Sequence, residues 1–277
     1  MIVLLALCAA LPAAQLEQAR ALYQRTDYNA ALKLLDAVPV QDGPVLLLTG
    51  QCYFMQGEFK KAADVFQKAV EARPNESAYY NWLGRALGRR AETSSFLTAP
   101  ALASKARNAF ERAVELAPTN IEAMSDLLEY YIDAPGIMGG GLDKAEALAR
   151  RMAALNTAEG HWALAEVARK RKESGAAEEQ LRRAVELAPQ QVGRFIDLAK
   201  FLSRAGRFQE SEETFRRADA VAPNAPKLLF ARAQVYIESG RNIDAARDLL
   251  RRYLEAPLTP DDPPRSEALR LLKKAAS

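Results

Sequence analysis

The chain has 277 residues, of which 49% are hydrophobic, with 38 Lys and Arg against 35 Asp and Glu. That ordinary composition excludes a disordered or collagen-like chain, and a net charge of +3 from interleaved signs excludes a basic nucleic-acid surface. A single histidine, His161, and two cysteines, Cys8 and Cys52, exclude a zinc finger, an iron–sulfur site and a disulfide framework, so no metal or cofactor is expected.

Residues 1–14 read as a signal peptide. The run 2–11 is continuously apolar, and at ~1.5 Å per helical residue it spans about half a bilayer core, too little for a membrane helix. Pro12, Ala13 and Ala14 follow as a small-residue exit, so export, for instance to a periplasm, is expected, with no integral membrane segment in the mature chain. Two alternatives stand beside this. Leu5-Ala6-Leu7-Cys8 suggests a lipoprotein, against which the bulk of Leu7 counts, and the absence of Lys or Arg before the run leaves a cytoplasmic chain open.

From residue 15 to 256 the chain repeats. Segments 57–74, 103–118, 175–189 and 206–223 align, and they close on Pro74, Pro118, Pro189 and Pro223. Pro189 and Pro223 lie 34 residues apart, and the other gaps are whole periods plus insertions. Apolar residues recur at steps of three and four with charged residues such as Lys60 and Lys61 between them, the pattern of stacked amphipathic helices. A Pro-rich stretch, 257–264, then breaks the pattern. Arg265–Ala276 reads as a last amphipathic helix with Leu269, Leu271 and Leu272 inward, capping an otherwise open face.

The repeat unit resembles the tetratricopeptide repeat superfamily. Gly50, Tyr53, Gly57, Phe59, Ala62, Phe66, Ala69 and Pro74 match its pattern in one unit. Leu83, Gly84, Ala106, Phe110, Ala113 and Pro118 match in the next. Leu198, Ala199, Gly206, Phe208, Phe215, Ala218 and Pro223 match later, and weaker copies flank these. The resemblance implies an all-α fold, a right-handed superhelical solenoid of about seven helical hairpins with a C-terminal capping helix.

Two insertions depart from the period. Within 89–101 about ten extra residues separate a first helix ending near Gly88 from a second beginning near Ala103. At 134–141 a Gly-rich stretch adds about five, with Asp143 behind it as the expected helix N-cap. Connections between the two helices of successive repeats share one rim, so Phe96, Gly136, Met138, Gly139, Gly140 and Gly141 form a candidate rim site. Gly136 and Gly141 have P-loop spacing, but Leu142 stands where that loop needs Lys and no strand precedes it.

A second candidate site comes from the resemblance, which implies a partner-binding groove lined by the first helix of each repeat. Carried over, its positions hold Asn81, Arg85 and Arg89, then Ser125, Glu129 and Asp133, then Trp162, Glu166, Arg169 and Lys170. Such a mixed-charge wall with Trp and Arg suits protein recognition. Asp126, Glu129 and Asp133 stand at helical spacing and read as solvated faces, while His161 falls at a helix-packing position. No nucleophile, base and oxyanion site come together, so no catalytic residue is expected. The expected function is a non-catalytic scaffold in a bacterial envelope that binds a protein or peptide and no nucleic acid. The alternatives are a small-ligand or glycan receptor at the insertion rim and, remotely, an enzyme with an unrecognised site.

Overall fold

The computed structural model describes residues 2–276, with side chains described from residue 13. The run 2–11 and Cys8, on which the export and lipid expectations rest, lie outside the described side chains. Among the described residues there are fifteen α-helices and no strand, in two compact units, 1–145 and 146–277.

In the first unit, α1 (Ile2–Gln24) pairs with α2 (Tyr28–Asp36), α3 (Gly43–Met55) with α4 (Phe59–Ala72), and α5 (Ser77–Thr93) with α6 (Ala99–Leu116). Next comes α7 (Ile121–Asp133), which a single 3-10 turn at Gly136–Met138 connects to α8 (Leu142–Leu155). The second unit pairs α9 (Thr157–Lys170) with α10 (Ser174–Leu187), α11 (Val192–Arg204) with α12 (Phe208–Val221), and α13 (Pro226–Ser239) with α14 (Ile243–Glu255). A final helix, α15 (Arg265–Ala276), packs on α13 and α14. The all-helical architecture of about seven hairpins and a terminal helix is the expected one.

Each repeat proline sits two residues beyond a helix. Pro74, Pro118, Pro189 and Pro223 follow α4, α6, α10 and α12, whose last residues are Ala72, Leu116, Leu187 and Val221. The residue before each proline is pushed out of the helical region: Arg73 has φ −142° and ψ 85°, and Ala222 has φ −141° and ψ 83°. Several starts are capped by side chains. Asp42 accepts from the Val45 amide at 3.2 Å, and Asn120 from that of Ala123 at 3.2 Å.

Packing within a hairpin follows a small-against-large rule. A Cβ on Gly50 of α3 would stand 2.4 Å from the Phe66 ring of α4, and one on Gly84 of α5 would stand 2.6 Å from the Phe110 ring of α6. Phe66 is fully buried and also stacks on Trp82 of α5, with ring centroids 5.9 Å apart, so it joins its own hairpin to the next. Cys52 is fully buried, and burial pushes its thiol up to about 12, which makes it an inert core residue.

Two expectations need correction. The insertion at 89–101 is not a long loop: α5 runs on to Thr93 and α6 starts at Ala99, leaving 94–98 as the connection. Arg89, Arg90, Ala91 and Glu92 are good helix formers, and Pro100 fits a helix start. These two helices have 17 and 18 residues against 13 and 14 in α3 and α4, so their tip stands about 6 Å taller. In α15 the buried residues are Ala268, Leu271 and Ala275, one face at steps of three and four. Leu269, expected inward, lies about a quarter-turn off that face and is exposed.

Candidate functional site

On α5 of the first unit, Asn81, Arg85 and Arg89 recur every four residues and share one face. The structure brings the first two together with α7. Asn81 Nδ2 donates to Asp126 Oδ2 at 2.7 Å, and Arg85 Nε donates to the same oxygen at 2.5 Å. Arg85 also donates to Glu122 at 2.8 Å and lies over the Trp82 ring at 4.7 Å. Asp126 is therefore no solvated carboxylate. Its side chain is 17% exposed, and burial raises its carboxyl above the ordinary value while Arg85 and Asn81 oppose that shift.

The remaining predicted residues of this wall are less engaged. Arg89 pairs with Glu92 at 2.6 Å and lies over Phe59 at 5.2 Å. Ser125 donates back to the Ile121 carbonyl at 2.9 Å, and Glu129 is exposed.

Asn81 and Arg85 thus tie consecutive hairpins together. Arg85→Ala should lower stability by about 1–3 kcal/mol, because it strands a mostly buried carboxylate. Adding Asp126→Asn should recover part of that loss in urea denaturation. A midpoint unchanged by Arg85→Ala contradicts the tie.

Trp162, Glu166 and Arg169 belong to the second unit and are described there by themselves. Trp162 of α9 is half-buried, with the Arg194 guanidinium of α11 over its ring at 4.7 Å. Arg194 pairs with Glu159 at 2.8 Å and with Asp197 at 3.0 Å. Glu166 and Arg169 pair with each other at 2.7 Å. His161 is half-buried, and its Nδ1 lies 2.6 Å from Gln180 Oε1, so it is a packing residue as expected.

The Gly-rich connection is a compact turn. The amides of Gly139, Gly140 and Gly141 donate to the carbonyls of Gly136, Pro135 and Tyr131. No amide of that triplet is left to cradle an anion. The Met138 carbonyl accepts from Tyr130 Oη at 2.8 Å and from Arg107 at 3.2 Å. Gly139 has φ +86°, and a Cβ on Gly140 would stand 1.9 Å from the Ala134 carbonyl oxygen, so both positions require glycine. Asp143 is not the N-cap. Ala145 donates to the Gly141 carbonyl, so α8 starts at Leu142, two residues earlier than that cap would place it, and Asp143 lies within its first turn.

Three large apolar side chains stand exposed on the two connections, beside exposed polar residues such as Ser95 and Thr98. Phe96 is 82% exposed, Leu97 76% and Ile137 94%. Sequence reasoning named Phe96 and Met138 but missed Leu97 and Ile137. Met138 is only half-exposed, while its neighbour Ile137 points outward at the 3-10 turn. An apolar residue inside an irregular insertion was the available signal.

Among the described residues no group of three or more His, Cys, Asp and Glu could hold a metal ion, and no helix is long and apolar enough to cross a membrane.

The tetratricopeptide repeat family model matches residues 16–77 and 196–263. The chain is similar to the crystal structure of a tetratricopeptide repeat protein from Parabacteroides merdae, with 13% identity over 96% of this chain and 99% of that one, and a TM-score of 0.61. It is also similar to a thermophilic protein of this repeat class from Thermus thermophilus, with 22% identity over 69% of this chain and 98% of that one, and a TM-score of 0.57. No curated protein matches the chain.

Proposed function

The chain belongs to the tetratricopeptide repeat superfamily, and from that premise we propose that it is a non-catalytic scaffold that holds a protein partner at the tip of its α5–α6 hairpin. Repeat arrays of this kind commonly mediate contacts between proteins. The observation that carries the reading is the exposure of Phe96, Leu97 and Ile137 on the helix connections of consecutive repeats. Adjacent large apolar side chains left exposed, as at Phe96 and Leu97, mark interaction sites. The backbone that carries Ile137 is fixed by Tyr130 and Arg107, and a preorganised surface loses less ordering entropy on binding.

Phe96→Ser with Leu97→Ser should weaken partner binding by roughly thirtyfold or more, as expected for aromatic and aliphatic anchors at a hot spot. It should leave the helical spectrum and melting point unchanged, because both side chains lie outside the core. Titration of the purified partner against both proteins is the check, and equal affinities refute the tip.

The apolar run 2–11 supports an envelope setting for the scaffold. The intact mass of native material should correspond to a chain beginning near Gln15 or Leu16. A mass retaining Met1 overturns export by cleavage, and an added diacylglycerol mass at Cys8 overturns the unlipidated form.

A further inference from the structure

The side of α5 opposite Asn81 and Arg85 carries Tyr80, Leu83, Leu87 and Arg90, at steps of three and four residues. With α4 and α6 these residues line a cleft of about 550 Å³, within the ~300–1,000 Å³ of ordinary ligand clefts. Its floor is apolar, with Ala63, Leu83, Leu87 and Ala109 all buried. Arg90, Lys105 and Arg112 line it, and Asp64 is the one carboxylate among the lining residues.

Several arginines of the first unit are neutralised close by: Arg85 by Asp126 and Glu122, Arg89 by Glu92, Arg107 by Glu111. Arg112 in the cleft shares this pattern through Glu115, at 3.1 Å. Among the described residues Arg90 and Lys105 have no carboxylate within ion-pair distance. The sequence explains why. Three and four residues to either side of Arg90 stand Ala86, Leu87, Thr93 and Ser94, and around Lys105 stand Ala101, Leu102, Asn108 and Ala109. No acid falls within helical reach of either cation. Both uncompensated charges line the same apolar-floored cleft.

We propose that this cleft binds an acidic peptide segment with interleaved apolar residues, its carboxylates on Arg90, Lys105 and Arg112 and its apolar side chains on the Leu83–Leu87 floor. Guanidinium groups match carboxylates in a two-point geometry, which suits Arg90 to that role. A free inorganic anion would satisfy the cations and leave the floor uncovered. A nucleic-acid strand calls for a continuous basic track, whereas the basic residues of this chain are interleaved with nearly as many acidic ones. The site lies on the face of α5 away from the Asn81–Asp126 wall, and the tip connection 94–98 contributes no residue to its lining. It rests on the scaffold reading only in taking a protein segment as its occupant.

The test is fluorescence anisotropy with the full chain and a labelled peptide alternating Glu and Leu, beside a peptide alternating Lys and Leu. The acidic probe should bind and the basic one should not. Arg90→Gln with Lys105→Gln, which replaces one half-buried and one exposed cation and leaves the floor residues in place, should weaken the acidic probe by roughly tenfold or more. Phe96→Ser with Leu97→Ser should leave it unchanged. Three results overturn the proposal: no binding of the acidic probe, equal binding by the Arg90 and Lys105 variant, or displacement by inorganic phosphate as effective as by unlabelled peptide. A protein that captures its partner through the tip but ignores the acidic probe refutes the cleft and leaves the scaffold reading standing.

Discussion

Deleting residues 265–277 is expected to lower the melting temperature by about 10 °C and to make the protein aggregate. Helix α15 buries Ala268, Leu271 and Ala275 against a cluster that includes Leu229, Phe230, Ile237, Leu250 and Tyr253. Tyr253 is fully buried, lies 5.2 Å from the Phe230 ring, and donates its hydroxyl to the Pro263 carbonyl just ahead of α15. Arg247 on α14 donates to the Ala275 carbonyl at 3.0 Å, which fastens the far end of the helix. Each large apolar side chain returned to water costs about 1.5–3 kcal/mol. The loss of Leu271, with part of Leu250 and Tyr253 uncovered, therefore amounts to several kcal/mol. A terminal repeat stripped of its cap also presents an apolar face to its neighbours in solution. Thermal denaturation followed by light scattering is the measurement. A truncated chain that melts with the full-length protein and stays clear contradicts the capping role.

Phe66→Ala is expected to cost about 3–5 kcal/mol, the range for truncating a fully buried Phe. The ring has two jobs. Within its hairpin it occupies the space that the missing side chain of Gly50 leaves open, and across to the next hairpin it stacks on Trp82. Truncation leaves a cavity beside a glycine that has no side chain to close it, so little collapse can offset the loss. Gly50→Val should also destabilise, by about 1–3 kcal/mol or more, because its branches would enter the ring. Urea denaturation of both variants decides the point, and a Phe66→Ala midpoint close to wild type refutes the packing described.

The repeat was legible because its physics is local. Pro74, Pro118, Pro189 and Pro223 mark helix ends in the sequence and sit two residues past helix ends in the structure. The small residues Gly50 and Gly84 and the large residues Phe66 and Phe110 are visible as a pattern before any coordinates, and they meet as the pattern requires. Non-local pairing was not legible. Helical spacing puts Asp126 on an exposed-looking face, and nothing near it in sequence shows that Arg85, 41 residues earlier, will neutralise it. The same applies to Glu159 and Arg194, separated by 35 residues. The insertion at 89–101 was misjudged for the opposite reason. Its local helix propensity was readable in Arg89–Glu92, but the repeat alignment suggested a loop. At the rim Phe96 was found from its residue type, whereas Ile137 rather than Met138 faces outward because the 3-10 turn settles which side chain is presented.

The claim that a protein partner sits on the hairpin tip is tested most directly by photo-cross-linking from the tip itself. A benzophenone amino acid placed at Phe96 in the full chain, expressed in its native cell, should give a covalent adduct with one protein species. The same probe at Lys68, an exposed position on α4, should not. Adding Leu97→Ser and Ile137→Ser to the Phe96 probe should remove the adduct while the helical spectrum stays intact. An adduct that forms equally from Lys68, or that survives those two substitutions, contradicts a partner held at this tip.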